Sequence, residues 1–286
     1  MNLRIISKKF FAMLKYTAFI FLFYLISFEL VAQQANKIDS LVFFKMHSNT
    51  LSEERKIVIH VPLNYTRSPE KRYPVMYVLD ASKLDFDISE RLFTLSSAGL
   101  APECIIVGII NNKGKREENL TPPFMQTEPS DSLSPFGKAH LFLDFIKSEL
   151  IPMIDSSYRT TNYKSITGHS RAGLFVLYTL IEQPDLFNAR FCYSTPAWRF
   201  NNQIINHLEN SFHKHKHTEK SYLFYSVGAN ENSNIIASFH SLNEMLQKLK
   251  NNNLTYYSYL TPAADHQTNP MLSTAKALLN WSNFYK

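Results

Sequence analysis

The residues best able to do chemistry lie in Gly168-His169-Ser170-Arg171-Ala172-Gly173. Lys164-Ser165-Ile166-Thr167 before them reads as a buried strand, and Leu174 to Leu180 after them is apolar nearly all round, like a helix packed between layers. A serine at the apex of so abrupt a strand-to-helix turn needs neighbours without bulk, because the two backbones pass close together. Gly168 and Ala172, two positions away on either side, supply that room. The turn lifts the hydroxyl clear of the chain, which is what a nucleophile requires, whereas a glycine–serine pair alone also fits an ordinary turn.

Serine is a weak nucleophile and needs a base, itself held by an acid. Two later strands end in suitable groups. The strand at 222–227 runs into Gly228-Ala229-Asn230-Glu231, and that at 255–260 into Thr261-Pro262-Ala263-Ala264-Asp265-His266. His266 is the candidate base, the alternative being a surface loop histidine. Glu231 is the candidate acid, the alternative being a cap on the next helix. Asp265 competes for the acid's role, although adjacent residues rarely aim at each other. An oxyanion would be met by the backbone N–H of Arg171 and by a second N–H after the strand ending at Asp80, assigned to Ala81. The Arg171 side chain has two readings, a receptor for an anionic substrate group or a salt bridge to a nearby carboxylate.

Other reactive types have plainer roles. His213, His215 and His217 alternate with lysines and lack an acidic or cysteine partner, so a solvated helix end or loop is expected, with no metal. His169 is expected to point away from the nucleophile and to be structural. Tyr256, Tyr257 and Tyr259 read as packing. Cys104 and Cys192, the only cysteines, sit in apolar runs and read as small buried hydrophobes. No metal or organic cofactor is expected.

The elements that must position these groups alternate. Strands are expected at 40–46, 55–62, 73–80, 104–110, 164–169, 190–194, 222–227 and 255–260, the first two forming a meander. Helices are expected at 84–100, 136–158, 174–182, 203–214, 237–250 and 275–285. Such alternation implies an α/β domain over 36–286, a mostly parallel sheet with helices on both faces. The polar, proline-marked stretch 111–131 is long for a loop and is expected to help wall the pocket.

The 286 residues, 45% hydrophobic, are ample for such a core. Residues 1–32 read as a signal peptide: a basic start, an apolar run at 17–28, and Leu30-Val31-Ala32 as cleavage site. Twelve apolar residues make roughly 18 Å of helix against about 30 Å of hydrocarbon, so export to the periplasm or beyond is expected rather than an uncleaved anchor. The leader holds four cations and one anion, so half of the net charge of +6 leaves with it. The remaining surplus, without a basic stripe, argues against nucleic acid.

Several segments, in order from about residue 40 onward, resemble the esterase family of α/β hydrolases, which includes siderophore esterases, S-formylglutathione hydrolases and feruloyl and acetyl-xylan esterases. They are Arg72 to Asp80, Val107-Gly108-Ile109, Glu149-Leu150-Ile151-Pro152, Gly168-His169-Ser170 with Gly173-Leu174-Phe175, Pro184-Asp185-Leu186-Phe187, and Asp265-His266. The resemblance implies a serine esterase working through an acyl-enzyme, with Ser170 as nucleophile, His266 as base and the acid at or near Glu231. Ala172 departs from the usual second glycine, Arg171 from the usual apolar residue, and Lys115 to Pro122 only loosely matches the family's loop. A small-molecule or glycan-linked ester, a siderophore ester among them, is the implied substrate. An acyltransferase with the same triad and a silent hydrolase-like binding module are the alternatives.

Overall fold

The computed structural model describes residues 41–214, 218–249 and 253–286. The chain divides into two units, Met1–Leu41 and Val42–Lys286, and every described residue beyond Leu41 belongs to the second. The leader at 1–32, His215 and His217 lie outside the described residues. Among those described, no helix is long and apolar enough to cross a membrane, and no cluster of metal-ligating side chains forms.

Eight strands make one sheet: β1 (Leu41–Ser48), β2 (Glu53–His60), β3 (Tyr73–Leu79), β4 (Ile105–Ile110), β5 (Thr160–His169), β6 (Ala189–Tyr193), β7 (Ser221–Gly228) and β8 (Leu254–Thr261). Their order is β1-β2-β4-β3-β5-β6-β7-β8. β2 runs antiparallel to β4, and β4, β3, β5, β6, β7 and β8 are mutually parallel. β3 is buried at every position, as expected of an apolar run covered on both faces. Alternation sends Val75, Tyr77 and Leu79 into one core and Met76 and Val78 into another.

Helix α1 (Leu84–Ser97) follows β3, and the short α2 (Arg116–Leu120) lies inside the stretch expected to be loop. The helical pattern at 136–158 divides into α3 (Ala139–Phe145), a π-turn (Ile146–Leu150) and α4 (Ile151–Ser157). Pro152 can donate no bond to the turn before it, and the wider turn upstream absorbs the mismatch. Then come α5 (Arg171–Glu182), α6 (Arg199–Lys214), α7 (Ser233–Lys248) and α8 (Asn269–Tyr285). Phe200, Asn201 and Asn202 have left-handed backbones, so regular helix begins at Gln203, as the sequence suggests. α8 starts six residues before its expected position, because Pro270 is favourable in a first turn and buried Asn269 and Ser273 hide the apolar period. Ile88 and Leu92 of α1 and Ala277, Leu278 and Trp281 of α8 fill one core; α3, α4, α5, α6 and α7 contribute to the other.

The helix that follows Ser170 is held at its far end. α5 is buried from Arg171 to Ile181. At its far end the buried Arg190 donates to the carbonyls of Thr179, Gln183, Pro184 and Phe187. A cation there meets the negative end of the helix dipole and gathers the carbonyls of the turn that follows it. Burial pushes this guanidinium down to about 9. Cys104 and Cys192 are buried free thiols, and Tyr257 stacks on Phe224 at 5.9 Å.

Candidate active site

The chemistry collects where the parallel strands end. Ser170 follows β5 with φ 58° and ψ −124°. A serine costs about 1–3 kcal/mol in so sparsely populated a conformation, and the surroundings must hold it there. They do so through bonds from Ser170 N–H to the Tyr193 carbonyl and from Gly173 N–H to the Ser170 carbonyl, each 2.8 Å. A Cβ on Gly168 would lie 2.6 Å from the Ala172 backbone, which explains the glycine.

Ser170, His266 and Glu231 come together. The Ser170 hydroxyl donates to His266 Nε2 at 3.0 Å, and His266 Nδ1 donates to Glu231 Oε2 at 2.8 Å. His266 is 31% exposed, whereas the Glu231 side chain is fully buried. Burial pushes the Glu231 carboxyl up, yet hydrogen bonds from His266, Ser194 and Gly228 outweigh it and hold the group below the usual carboxylate range. Glu231 therefore stays ionised opposite the imidazole. Asp265 is taken up locally by the Thr268 hydroxyl and the backbones of Gln267 and Thr268. Gly228 permits this assembly, since a Cβ there would lie 2.3 Å from the Ala264 carbonyl oxygen.

His169 Nε2 donates to the His266 backbone carbonyl at 2.7 Å. Burial first, and then the neighbouring His266, holds this imidazole down at about 4. It is neutral near pH 7 and ties the loop of His266 to the strand that ends beside Ser170.

Two assignments change. Ala81 N–H donates to the Ile109 carbonyl at 3.1 Å, because pairing between β3 and β4 continues past the strand end. It is not free for an oxyanion. Asp80 turns the chain through φ 55°, and the next N–H, that of Ser82, has no partner among the described residues. Arg171 N–H opens α5 and is likewise unused. The Arg171 side chain is 7% exposed and engaged by the Thr121 hydroxyl (2.9 Å), the Thr127 carbonyl (2.6 Å) and the Glu128 carboxylate (2.8 Å). Of its two readings the salt bridge is the one the structure shows, and the side chain fastens the 121–128 stretch beside Ser170.

Two other arginines share this region. Arg116 forks onto the Asp80 carboxylate, which also accepts from Asn111. Arg199 Nη1 donates to the Thr127 carbonyl at 3.1 Å, its Nε is buried without a partner, and no carboxylate pairs with it among the described residues. Burial, then repulsion from Arg171, brings it down to about 10, so it remains a cation. Nothing in the sequence around Arg199 marks it. A cleft lined by Lys71, Phe93 and Glu103 lies at the opposite end of the strands, away from Ser170.

Residues 48–269 match the family described as "Putative esterase". Ferri-bacillibactin esterase BesA of Bacillus subtilis (strain 168) is 30% identical over 171 residues, covering 54% of this chain and 58% of that protein. The chain thus spans a little over half the length of this curated relative. Among solved structures, an IroE-like serine hydrolase from Shewanella oneidensis superposes with a TM-score of 0.78 at 26% identity, over 86% of this chain and 81% of that one. The siderophore hydrolase EstB from Aspergillus nidulans gives 0.71 at 20% identity, over 86% and 95%. The mostly parallel sheet, the helices on both faces and a match across most of the sequence agree: the chain belongs to the esterase family and has the α/β-hydrolase fold.

Proposed function

We propose that this protein is an exported serine esterase that hydrolyses carboxylic esters, a siderophore ester foremost among them. The observation that carries the reading is the continuous hydrogen-bonded series Ser170–His266–Glu231, at 3.0 and 2.8 Å. As Ser170 Oγ attacks the ester carbonyl carbon, its proton passes to His266 Nε2. Glu231 holds the ring in the tautomer that can accept that proton and stabilises the imidazolium that forms. The tetrahedral oxyanion is met by the N–H groups of Arg171 and Ser82. Collapse expels the alcohol, which takes the proton from His266, and leaves an acyl group on Ser170. Water, deprotonated by His266, then releases the acid and restores the serine.

The siderophore reading is supported by the relatives' names and by Arg199, a cation with no carboxylate ion-paired to it among the described residues, close to Arg171. An ester with an anionic arm suits it better than a neutral glycan ester. Export rests on the leader at residues 1–32. The test has three arms. A fluorescent fluorophosphonate should label the protein and should fail on Ser170→Ala and His266→Ala. Hydrolysis of siderophore esters should exceed that of feruloyl or acetyl glycans. The exported chain should begin at Gln33 by mass. No labelling of folded wild-type protein would overturn the catalytic reading, and preference for the neutral glycan would overturn the substrate.

A further inference from the structure

Behind Glu231 lies a group of small polar side chains that no motif marks. Ser194, just after β6, has φ 50° and is fully buried. Its hydroxyl donates to Glu231 Oε1 at 2.5 Å, on the oxygen opposite the one that faces His266. Asn269, the first residue of α8 and also fully buried, donates through Nδ2 to Ser194 Oγ at 2.8 Å and to Ser226 Oγ at 3.1 Å. Its Oδ1 accepts from the Thr261 hydroxyl at 2.5 Å. Ser226 meets Ser273 at 3.0 Å, and Ser273 donates to the Asn269 carbonyl at 2.7 Å.

The polarity of these bonds has one consistent solution. An ionised Glu231 only accepts, so the Ser194 proton points at it, and Ser194 must then accept from Asn269. The amide is thereby fixed with nitrogen towards Ser194 and oxygen towards Thr261. Both amide protons are used. One side chain joins the ends of β6, β7 and β8, the three strands that precede Ser194, Glu231 and His266. A network satisfied at every member in a buried setting is rigid and adds its dipoles in one direction, here towards the carboxylate.

We propose that Ser194 and Asn269 are positioning residues of the reaction: they fix the Glu231 carboxylate in angle and in charge, so that it orients His266. The proposal rests on the reading of Ser170, His266 and Glu231 as the catalytic set. Neither residue touches substrate. Among the described residues, the only titratable group bonded to Glu231 is His266; His169 stands behind that ring at 4.7 Å, with Asp80 and the exposed Asp265 farther out.

The experiment compares Ser194→Ala, Ser194→Gly and Asn269→Leu with wild type, reading kcat, KM and the acidic limb of the kcat/KM–pH profile on a simple neutral aryl ester. Ser194→Gly keeps the left-handed backbone free of strain and serves if the alanine variant folds poorly. Donors aimed at Glu231 favour the anionic form of the Glu231–His266 pair, so removing one makes the pair easier to protonate. We expect kcat to fall about 10–100-fold with KM nearly constant, and the acidic limb to move to higher pH by about half a unit to one unit. A loss of kcat with the limb unmoved, or a loss confined to KM, would overturn the proposal while leaving the triad intact. Wild-type protein inert to both ester and fluorophosphonate would remove the catalytic reading and this proposal with it.

Discussion

His169 Nε2 donates to the backbone carbonyl of His266 at 2.7 Å, so the residue before Ser170 holds the loop that carries His266. The bond requires a proton on Nε2, and burial keeps the ring otherwise neutral down to about pH 4. Two histidine rings 4.7 Å apart thus make different contacts, His169 with a backbone carbonyl and His266 with Ser170 and Glu231.

This arrangement makes the protein acid-sensitive in a defined window. His169 titrates at 6.5 when unfolded and at about 4 when folded, so the unfolded chain binds more protons between those values. Stability should fall as pH drops through that interval, by on the order of 2–3 kcal/mol at pH 4. Glu231, held below its unfolded value, adds a further loss as pH falls through its folded value. Thermal melts of wild type and His169→Gln between pH 7 and 4 test this. The variant's curve should be flatter, and parallel curves would assign the sensitivity elsewhere.

Replacing Glu231 with Gln should cost about 10³–10⁴ in kcat with little change in KM. An amide can turn its nitrogen towards His266 Nδ1 and so favour the wrong tautomer. Melting temperature should change little compared with the loss of rate. Steady-state kinetics beside a thermal melt separates the two, and a loss below tenfold would place the acid elsewhere.

Arg171→Ala should loosen the 121–128 stretch rather than alter substrate choice. Three hydrogen bonds from one guanidinium disappear, worth roughly 1–3 kcal/mol together because Glu128 is partly exposed. Limited proteolysis should cut the stretch faster, and KM should change by the same factor for neutral and anionic esters. A loss selective for the anionic ester would return this side chain to the substrate.

Gly168→Ala should damage the elbow. Its methyl would lie 2.6 Å from the Ala172 backbone, and overpacking of this kind costs about 1–3 kcal/mol. A drop in melting temperature of about 3–10 °C should accompany weaker fluorophosphonate labelling. Unchanged labelling and stability would mean that the turn can open without cost.

Local geometry is written in local sequence, and there the reading from sequence succeeds. The elbow needs small residues two positions either side of Ser170; the sheet declares itself through apolar runs such as Tyr73 to Leu79. His266 and Glu231 were legible because each follows a strand, and parallel strands deliver their ends to one edge. Where the outcome depends on what lies across the fold, sequence is silent. Ala81 looked free because nothing near it shows that Ile109 takes its N–H. The partners of Arg171 come from residues 43 to 50 positions earlier in the chain, and its charge alone does not choose between substrate and Glu128.

Ser194 and Asn269 are the clearest case, since serine and asparagine are common in turns and helix caps and carry no signature. The sequence by itself determined the layered fold, the sharp corner at Ser170 and the strand ends that bring His266 and Glu231 to it. Tertiary structure decided which donors remain free, which cation is spent on a loop and how Glu231 is held. Those depend on hydrogen bonds closed between strands far apart in the chain, each of which excludes another use of the same group.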